Sequence, residues 1–310
     1  MSAPLLAIGV VLFLLAGPAL AHSVQSTDDT LELTVLEAAL IGLVEGVTEY
    51  LPVSSTGHIL VTSELLGLNS SQQAEDLMDA YAICVQAGAI LAVLVVYQQR
   101  IRQLLDGLIG RSVEGRQILL AVIAAFIPTA IIGQFIFPVV RDRLFGVGPI
   151  ALAWIVGGMG ILHLSRSRFF ARPGKDLHDL TVQNAVVIGL LQTLAMWPGV
   201  SRSLITIIAG VLVGLTLRAA VEFSFLLGLI TLTAATAYAG LEDGSAMIDA
   251  FGWFTPAVGL VVAFVSAVAA VRWMVSYLNT KGFEIFGWYR VAVGLIALAF
   301  IGAGALPFSS

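Results

Sequence analysis

Two segments of this chain are apolar and long enough to form helices, yet proline, glycine and hydroxyl residues interrupt both of them. The first covers residues 42–58 and the second covers residues 189–203. Aligned from their first residues without a gap, they place Ser54 on Ser201. Paired, interrupted hydrophobic segments in the two halves of a membrane protein indicate where it binds its ligand. Polar side chains are costly within a membrane, so we interpret these as functional.

The composition is that of an integral membrane protein. Of the 310 residues, 58% are hydrophobic and only 11% are charged, whereas a soluble domain carries roughly 25% charged residues. The apolar runs have helix length, which favours a helical bundle over a barrel of short alternating strands. Cys84 is the only cysteine, which excludes an intrachain disulfide and a metal site built from cysteines.

Six hydrophobic stretches predict transmembrane helices. They lie at about 80–97, 118–138, 149–164, 221–240, 254–276 and 288–305, and most approach the ~20 residues that a spanning helix needs. Because the 149–164 stretch is short, we expect its helix to extend into the flanking residues. The interrupted segments, at about 35–68 and 181–217, are each divided into two pieces too short to span the membrane. We therefore predict two re-entrant helical hairpins.

The positions of lysine and arginine predict the orientation. The excess of these residues marks the cytoplasmic side. In the loops on the opposite side, Arg141 and Arg143 are the only basic residues. Glu222 follows Arg218 by four residues, and we expect these two side chains to pair at the membrane interface. The basic residues assigned to the cytoplasmic side are Arg100, Arg102, Arg111, Arg116, Arg166, Arg168, Arg172, Lys175, Arg218, Arg272, Lys281 and Arg290.

This layout predicts an inverted repeat within one polytopic membrane domain of residues 33–310. The first repeat covers about 33–164 and the second about 181–305. Each contains one hairpin and three spans, and because three is odd the second repeat is inserted upside down. The hairpin tips can then meet near the middle of the membrane. The expected fold is all-α and integral to the membrane, with six transmembrane helices and two re-entrant hairpins in an inverted-topology repeat.

Residues 1–21 predict a signal peptide or an N-terminal helix. Residues 5–16 are apolar, and Ala19-Leu20-Ala21 has the small-residue pattern of a cleavage site. A positively charged start is missing, since no lysine or arginine precedes Arg100. Both interpretations stay open.

Glu45 and Glu49 are four residues apart, so a helix places them on one face. Two carboxylates at that distance repel each other unless a cation or a shared proton lies between them. They could bind a divalent cation such as Mg²⁺ or Ca²⁺ through oxygen ligands, or one could act as a general acid or base. The alternative is a solvated surface pair, which the apolar neighbours disfavour.

Ser54, Ser55 and His58 follow the first break. A histidine within one helical turn of a hydroxyl suits proton transfer or activation of a nucleophile. The alternatives are a hydroxyl that caps the next helix and a buried histidine with purely structural hydrogen bonds.

Arg202 is a basic residue inside the second interrupted segment rather than in a loop. An arginine at that depth costs on the order of 3 kcal/mol on insertion scales, so we expect a compensating anion. A helix that begins near Ser201 would direct free N–H groups at such an anion, and Ser203 and Thr206 add hydroxyls. These groups predict a phosphate site within the membrane. The alternative is Arg202 paired with Glu45 or Glu49 and no ligand.

Both segments resemble one known family. Residues 45–58, which read Glu-Gly-Val-Thr-Glu-Tyr-Leu-Pro-Val-Ser-Ser-Thr-Gly-His, resemble the E-x-x-x-E region of bacterial undecaprenyl-diphosphate phosphatases. Residues 198–206, Pro-Gly-Val-Ser-Arg-Ser-Leu-Ile-Thr, resemble that family's P-G-x-S-R-S-x-x-T motif. The resemblance runs from about residue 33 to the C-terminus. Leu204-Ile205 departs from it, since the family pattern has a Gly-Ala pair before the threonine.

The resemblance implies hydrolysis of undecaprenyl diphosphate to undecaprenyl phosphate and inorganic phosphate, which recycles the carrier lipid of cell-wall synthesis. It also implies bacitracin resistance, because that antibiotic binds the diphosphate. The partners would be the polyprenyl diphosphate and membrane lipid, with no nucleic acid, and a homodimer is allowed. The protein would lie in the bacterial inner membrane with its site open to the periplasm.

The resemblance also assigns the site residues. The acidic pair, with a divalent cation, would be Glu45 and Glu49. The catalytic hydroxyl, imidazole and guanidinium would be Ser55, His58 and Arg202. The phosphate-binding residues would be Ser54, Ser201, Arg202, Ser203 and Thr206.

Two other functions fit parts of the sequence. A lipid or anion transporter shares the paired broken helices, and fold alone does not decide function. An intramembrane protease could use the two acids and His58, but it has no H-E-x-x-H motif and leaves Arg202 unexplained. For hydrolysis, the sequence does not decide whether Ser55, His58 or an activated water is the nucleophile.

Overall fold

The structure, a computed structural model, describes residues 32–309. This part of the chain forms twelve α-helices and contains no β-strand. The predicted signal peptide or N-terminal helix of residues 1–21 lies outside the described residues. The helices are α1 Val35–Thr48, α2 Ser55–Leu66, α3 Gln72–Val96, α4 Gln98–Leu108, α5 Val113–Leu144, α6 Val147–Arg166, α7 Val182–Gln192, α8 Arg202–Leu212, α9 Leu217–Glu242, α10 Gly244–Phe251, α11 Phe254–Leu278 and α12 Glu284–Gly302.

Within the described residues, six helices are long and apolar enough to cross a membrane. They are α3, α5, α6, α9, α11 and α12, which confirms the six predicted spans. Helix α6 covers Val147–Arg166 and extends the short 149–164 stretch at both ends, as expected. Across residues 32–309 the protein is therefore all-helical, with the six spans of a multi-pass membrane protein.

The two interrupted segments form pairs of short helices, α1 with α2 and α7 with α8. Ser54 precedes α2 with φ 75° and ψ 96°, and Ser201 precedes α8 with φ 76° and ψ 115°. Residues other than glycine seldom adopt a positive φ, because the side chain then crowds the backbone. The two breaks therefore share an unusual backbone turn at the residues that the sequence alignment pairs.

Glycines let the short helices approach the spans closely. A Cβ atom at Gly42 of α1 would lie 2.2 Å from the carbonyl oxygen of Gly259 in α11. At Gly189 of α7, a Cβ would lie 2.0 Å from the carbonyl oxygen of Ala125 in α5. Gly42 and Gly189 are the first residues of the aligned segments, so each short helix packs on a span of the other half through the same position. Small residues allow such close backbone contact between helices in membranes.

Arg290 lies inside the protein, which corrects its assignment to the cytoplasmic charges. Helix α12 begins at Glu284, four residues before the predicted start of the last span at 288, so Arg290 is more than one turn inside the helix. Its side chain is fully buried. Gly157 of α6 leaves the space that it fills, because a Cβ there would lie 2.4 Å from Nη2 of Arg290.

Candidate active site

The breaks bring the predicted polar residues to the ends of α1, α2 and α8. Glu45 and Glu49 follow each other by one turn at the end of α1, and both are buried. Ser55 opens α2 and Arg202 opens α8. Helix N-termini direct unpaired N–H groups away from the helix, so two such ends point into the region between the breaks.

Glu49 connects the two halves. Its Oε1 accepts a hydrogen bond from Nη2 of Arg202 at 2.9 Å, so the two charges form an ion pair. Its other oxygen, Oε2, accepts a short hydrogen bond from Oγ of Ser55. A carboxylate that accepts from both a guanidinium and a hydroxyl is fixed in position and is able to take the hydroxyl proton. Pairing of Arg202 with one of the two acids was the alternative to a bound anion, and Glu49 is the acid with which it pairs.

Arg202 is held from several directions, and one of its three guanidinium nitrogens has no hydrogen-bond partner among the described residues. Nη1 donates to the carbonyl oxygen of Ser224 at 3.2 Å, and Cζ lies 5.5 Å from the ring centroid of Tyr50. Gly228 of α9 leaves room for the guanidinium, because a Cβ there would lie 2.0 Å from Nη1. Nε is the nitrogen without a partner, so this buried N–H group has no acceptor from the described part of the protein.

The hydroxyls at the breaks join the two segments. Oγ of Ser54 accepts from the backbone N–H of Gly199 at 3.0 Å. Oγ of Ser203 donates to the carbonyl oxygen of Leu51 at 2.8 Å. Because its proton is used there, Ser203 accepts from Oγ of Ser201 at 3.0 Å. These residues, which were expected to bind phosphate, fix the position of one break on the other.

Thr206 lies deeper along α8 than the other predicted residues. It is fully buried, and its Oγ1 donates to the carbonyl oxygen of Arg202 at 2.9 Å. Oγ1 also hydrogen-bonds to Oγ of Ser224 at 2.7 Å. The structure places this hydroxyl between α8 and α9.

His58 contacts other partners than the hydroxyl beside which the sequence places it. Its Nδ1 is 2.7 Å from the carbonyl oxygen of Ser54, which can only accept, so Nδ1 carries a proton. Its Nε2 is 2.8 Å from the hydroxyl of Tyr289, and its ring centroid lies 4.6 Å from that of Trp154. The hydroxyl of Ser55 donates to Glu49 instead. His58 thus links the first break to α12.

Glu45 is almost completely buried, and its Oε1 has no hydrogen-bond partner in the described part of the chain. A buried carboxylate oxygen without a donor suits a hard cation. The described residues contain no group of three or more histidine, cysteine or acidic side chains that could hold a metal. A cation at the Glu45–Glu49 pair would therefore need further oxygen ligands, and Mg²⁺ commonly takes these from substrate phosphates and water.

Arg290 also belongs to this region, although neither sequence motif contains it. Its Nη2 donates to the carbonyl oxygens of Gly199 at 2.7 Å and Ala153 at 3.0 Å, and its Nη1 donates to that of Pro52 at 3.2 Å. The guanidinium thus binds the backbone of both breaks. The acidic Glu284 in the first turn of α12 was a signal, because it favours an earlier helix start and so places Arg290 within the span.

Comparison with known proteins identifies similar sequences over most of the chain. The family model for the bacitracin resistance protein BacA matches residues 38–296. Undecaprenyl-diphosphatase 2 of Rhodospirillum rubrum is 40% identical over 276 residues, which cover 89% of this chain and 98% of that protein. The undecaprenyl-diphosphatase of Methylococcus capsulatus is 42% identical over 254 residues, which cover 80% of this chain and 88% of that protein.

Proposed function

The chain belongs to the family of the bacitracin resistance protein BacA, and from this premise we infer that it is an undecaprenyl-diphosphate phosphatase. It hydrolyses undecaprenyl diphosphate to undecaprenyl phosphate and inorganic phosphate. Its relatives carry the name undecaprenyl-diphosphatase. Removal of the diphosphate also removes the target of bacitracin, which accounts for resistance.

One observation supports the location of the reaction more than any other. Glu49 from the first break holds both the hydroxyl of Ser55 and the guanidinium of Arg202 from the second break. A hydroxyl, a carboxylate and a guanidinium are thus in direct contact inside a membrane protein. These groups suit phosphoryl transfer, because its catalysis is mainly positioning and stabilisation of charge.

We propose that Ser55 is the nucleophile and that Glu49 is its base. Oγ of Ser55 would attack the terminal phosphorus while its proton passes to Glu49. The bond from that phosphorus to the bridging oxygen would break, and undecaprenyl phosphate would leave. Water would then hydrolyse the phosphoserine and restore Ser55. The geometry supports Ser55 over His58, because both ring nitrogens of His58 already have protein partners.

Arg202 would bind the terminal phosphate. Its buried Nε has no hydrogen-bond partner among the described residues, and a bound phosphate would supply one. The N–H of Leu204 in α8 donates to Ser201, which leaves those of Arg202 and Ser203 without a partner within the helix. Fixed donors at the point where charge develops are the largest single contribution in many enzymes. Substrate binding would also shift the guanidinium from Glu49 to phosphate, which would free the carboxylate to act as a base.

A divalent cation, Mg²⁺ or Ca²⁺, would bind to Glu45 and Glu49. Such a cation would neutralise charge on the diphosphate. The unpartnered oxygen of Glu45 supports this assignment. We expect chelation to lower phosphate release by the native protein, and we expect Glu45→Gln to weaken its response to added Mg²⁺ or Ca²⁺. Full activity of the native protein after complete removal of divalent cations would contradict a metal role.

We further propose that the two pairs of short helices are re-entrant hairpins in an inverted-topology repeat. The matching backbone at Ser54 and Ser201 supports this. So do the equivalent contacts of Gly42 with α11 and of Gly189 with α5. In the inverted arrangement, α1 would enter from the periplasm and α7 from the cytoplasm, and the breaks would meet within the bilayer.

The excess of lysine and arginine supports a location in the inner membrane with the site open to the periplasm. This orientation can be tested with single cysteines in a Cys84→Ala background, placed at Asn69 and at Arg111. A membrane-impermeant thiol reagent added to intact spheroplasts should modify only the cysteine at position 69. Modification of position 111 alone would reverse the assignment.

The decisive experiment is phosphate release from undecaprenyl diphosphate by the purified protein in detergent. Detergent removes the two compartments that transport needs, so hydrolysis there distinguishes a phosphatase from the alternative of a lipid or anion transporter. Ser55→Ala should abolish release, with Ser63→Ala of the same helix as the control. Rapid turnover by Ser55→Ala would exclude Ser55 as the nucleophile and favour an activated water.

A further inference from the structure

A second concave region lies at the end of the bundle that carries the basic loops. It is a cavity of about 540 Å³ between the end of α3, the start of α9 and the end of α11. Its walls include Val96, Val221 and Leu278, and its polar lining includes Ser276 and Asn279. Neither Glu49 nor Arg202 contributes to its lining, so this cavity is separate from the candidate active site.

Three arginines line this cavity, and only one of them is neutralised. Nε of Arg100 lies 2.5 Å from a carboxylate oxygen of Glu222. The expected pair within α9, between Glu222 and Arg218, is therefore wrong, because Arg100 of α4 takes the carboxylate. Within residues 32–309, no carboxylate lies within salt-bridge distance of Arg218 or Arg272, and both are exposed. The cavity thus keeps an excess of positive charge beside apolar walls.

The chemistry of the lining defines the ligand that fits it. A free anion would use only the arginines and would leave the apolar walls in contact with water. A lipid with a phosphate headgroup uses both, and basic pockets between transmembrane helices on the cytoplasmic side bind such headgroups. Ser276 and Asn279 add neutral hydrogen-bonding groups, which suit the hydroxyls of a glycerol headgroup.

We propose that this cavity binds an anionic phospholipid of the phosphatidylglycerol class. Arg218 and Arg272 would contact its phosphate, the polar residues of α11 would contact the glycerol, and the acyl chains would lie against the spans. The leaflet follows from the proposed orientation and would be the cytoplasmic one. The lipid would be a structural partner of the protein, distinct from the substrate of the membrane-embedded site.

The test compares lipid binding by the native protein and by R218Q/R272Q. Native mass spectrometry of the detergent-solubilised protein would measure retention of phosphatidylglycerol and phosphatidylcholine, and thermal unfolding would measure stabilisation by each lipid. The matched control is R102Q/R111Q, which removes the same charge at the same end of the bundle from residues that do not line the cavity. Should R218Q/R272Q fold poorly without lipid, R218K/R272K keeps the charges and should keep the binding.

We expect the native protein and R102Q/R111Q to prefer phosphatidylglycerol, and we expect R218Q/R272Q to bind it about tenfold more weakly. Equal retention of the two lipids, or an equal loss in the control, would overturn the proposal. So would equal stabilisation by inorganic phosphate, which lacks a tail. Loss of undecaprenyl phosphate but not phosphatidylglycerol from R218Q/R272Q would reassign the cavity to the product. Phosphate release in detergent should be the same in all variants, which separates this proposal from the catalytic one.

Discussion

At Ser54 and Ser201 the backbone makes the same rare turn, but the residues around the two turns differ in their chemistry. The first break carries the acids and His58, and the second carries Arg202 with hydroxyl groups. Both serines have φ within one degree of 76°, and each precedes the second helix of its pair. The shared feature is the backbone geometry, and the divergent feature is charge.

This difference indicates that neither break forms a site by itself. The ion pair of Glu49 with Arg202 crosses from one break to the other, and so does the hydrogen bond from the backbone of Gly199 to Ser54. Arg290 then binds the carbonyl oxygens of both. A repeated backbone thus creates two facing helix ends, and divergent side chains make them complementary.

The largest effect should follow from removal of the charge that only the second break supplies. Arg202→Ala should lower phosphate release by about 10²–10³-fold or more, because a fixed donor at the developing charge is lost. The turnover of Arg202→Lys should lie between those of the native protein and Arg202→Ala, since lysine keeps the charge without the planar fork. Exposed Arg102→Ala is the control. Near-native turnover by folded Arg202→Ala would remove this residue from catalysis.

Arg290 should differ from Arg202 because it contacts the backbone of both breaks rather than a carboxylate. Arg290→Ala leaves three carbonyl acceptors without their donor, at about 1–3 kcal/mol for each that stays unsatisfied. We expect it to lower both thermal stability and turnover. Arg202→Ala also removes the partner of the buried Glu49 carboxylate and so lowers stability as well, but its loss of turnover should be the larger of the two. The measurements are thermal unfolding and phosphate release in one detergent, with exposed Arg272→Ala as the control. Native stability of Arg290→Ala would show that the breaks do not depend on this side chain.

Much of this comparison could be predicted from the sequence, because its signals are local. Span lengths follow from hydropathy, and the breaks follow from Pro52, Pro198 and the hydroxyls beside them. The grouping of Glu49 with Arg202 could also be predicted, because it follows from the alignment of two polar segments that a membrane would not otherwise tolerate. The six spans and both interruptions were predicted in this way.

The features of the site that could not be predicted from the sequence depend on contacts between distant segments. His58 bonds to Tyr289, and Arg290 bonds to the backbone of both breaks, but nothing near residue 58 or residue 290 signals the partner. Hydropathy also cannot distinguish an arginine that reaches water from one that turns into the bundle. The pairing of Ser55 with Glu49 rather than His58 depends on how the chain turns at Ser54, which the spacing of residues does not define.

Gly228 offers a smaller perturbation, which acts through Arg202 of the second break. Gly228→Ala would bring a methyl group into the space of the Arg202 guanidinium, whose flexible end would then have to shift. We expect turnover to fall by about 10- to 100-fold, because small displacements of a catalytic group are costly. Stability should change little. Gly240→Ala in the same helix is the control, since a Cβ there would meet no atom beyond the neighbouring backbone of its own helix. An equal loss of turnover in this control would mean that the helix, and not Arg202, is affected.

The smallest expected effect is a stability change at Ser54 and Ser201, which tests whether the backbone turns at the two breaks are equivalent. Glycine and alanine at Ser54 both lack the hydroxyl, so their difference isolates the cost of a positive φ, and the same holds at Ser201. At each position we expect glycine to be more stable than alanine by about 1 kcal/mol, because alanine seldom adopts this conformation. At Ser266, inside α11, we expect the reverse: alanine should be more stable than glycine by about 0.5–1 kcal/mol, since glycine weakens an ordinary helix. Thermal unfolding of the six variants gives the sign of the stability difference between glycine and alanine at each position. Opposite signs at Ser54 and Ser201 would mean that only one break needs the turn, and the two segments would then be similar in sequence without being equivalent in structure.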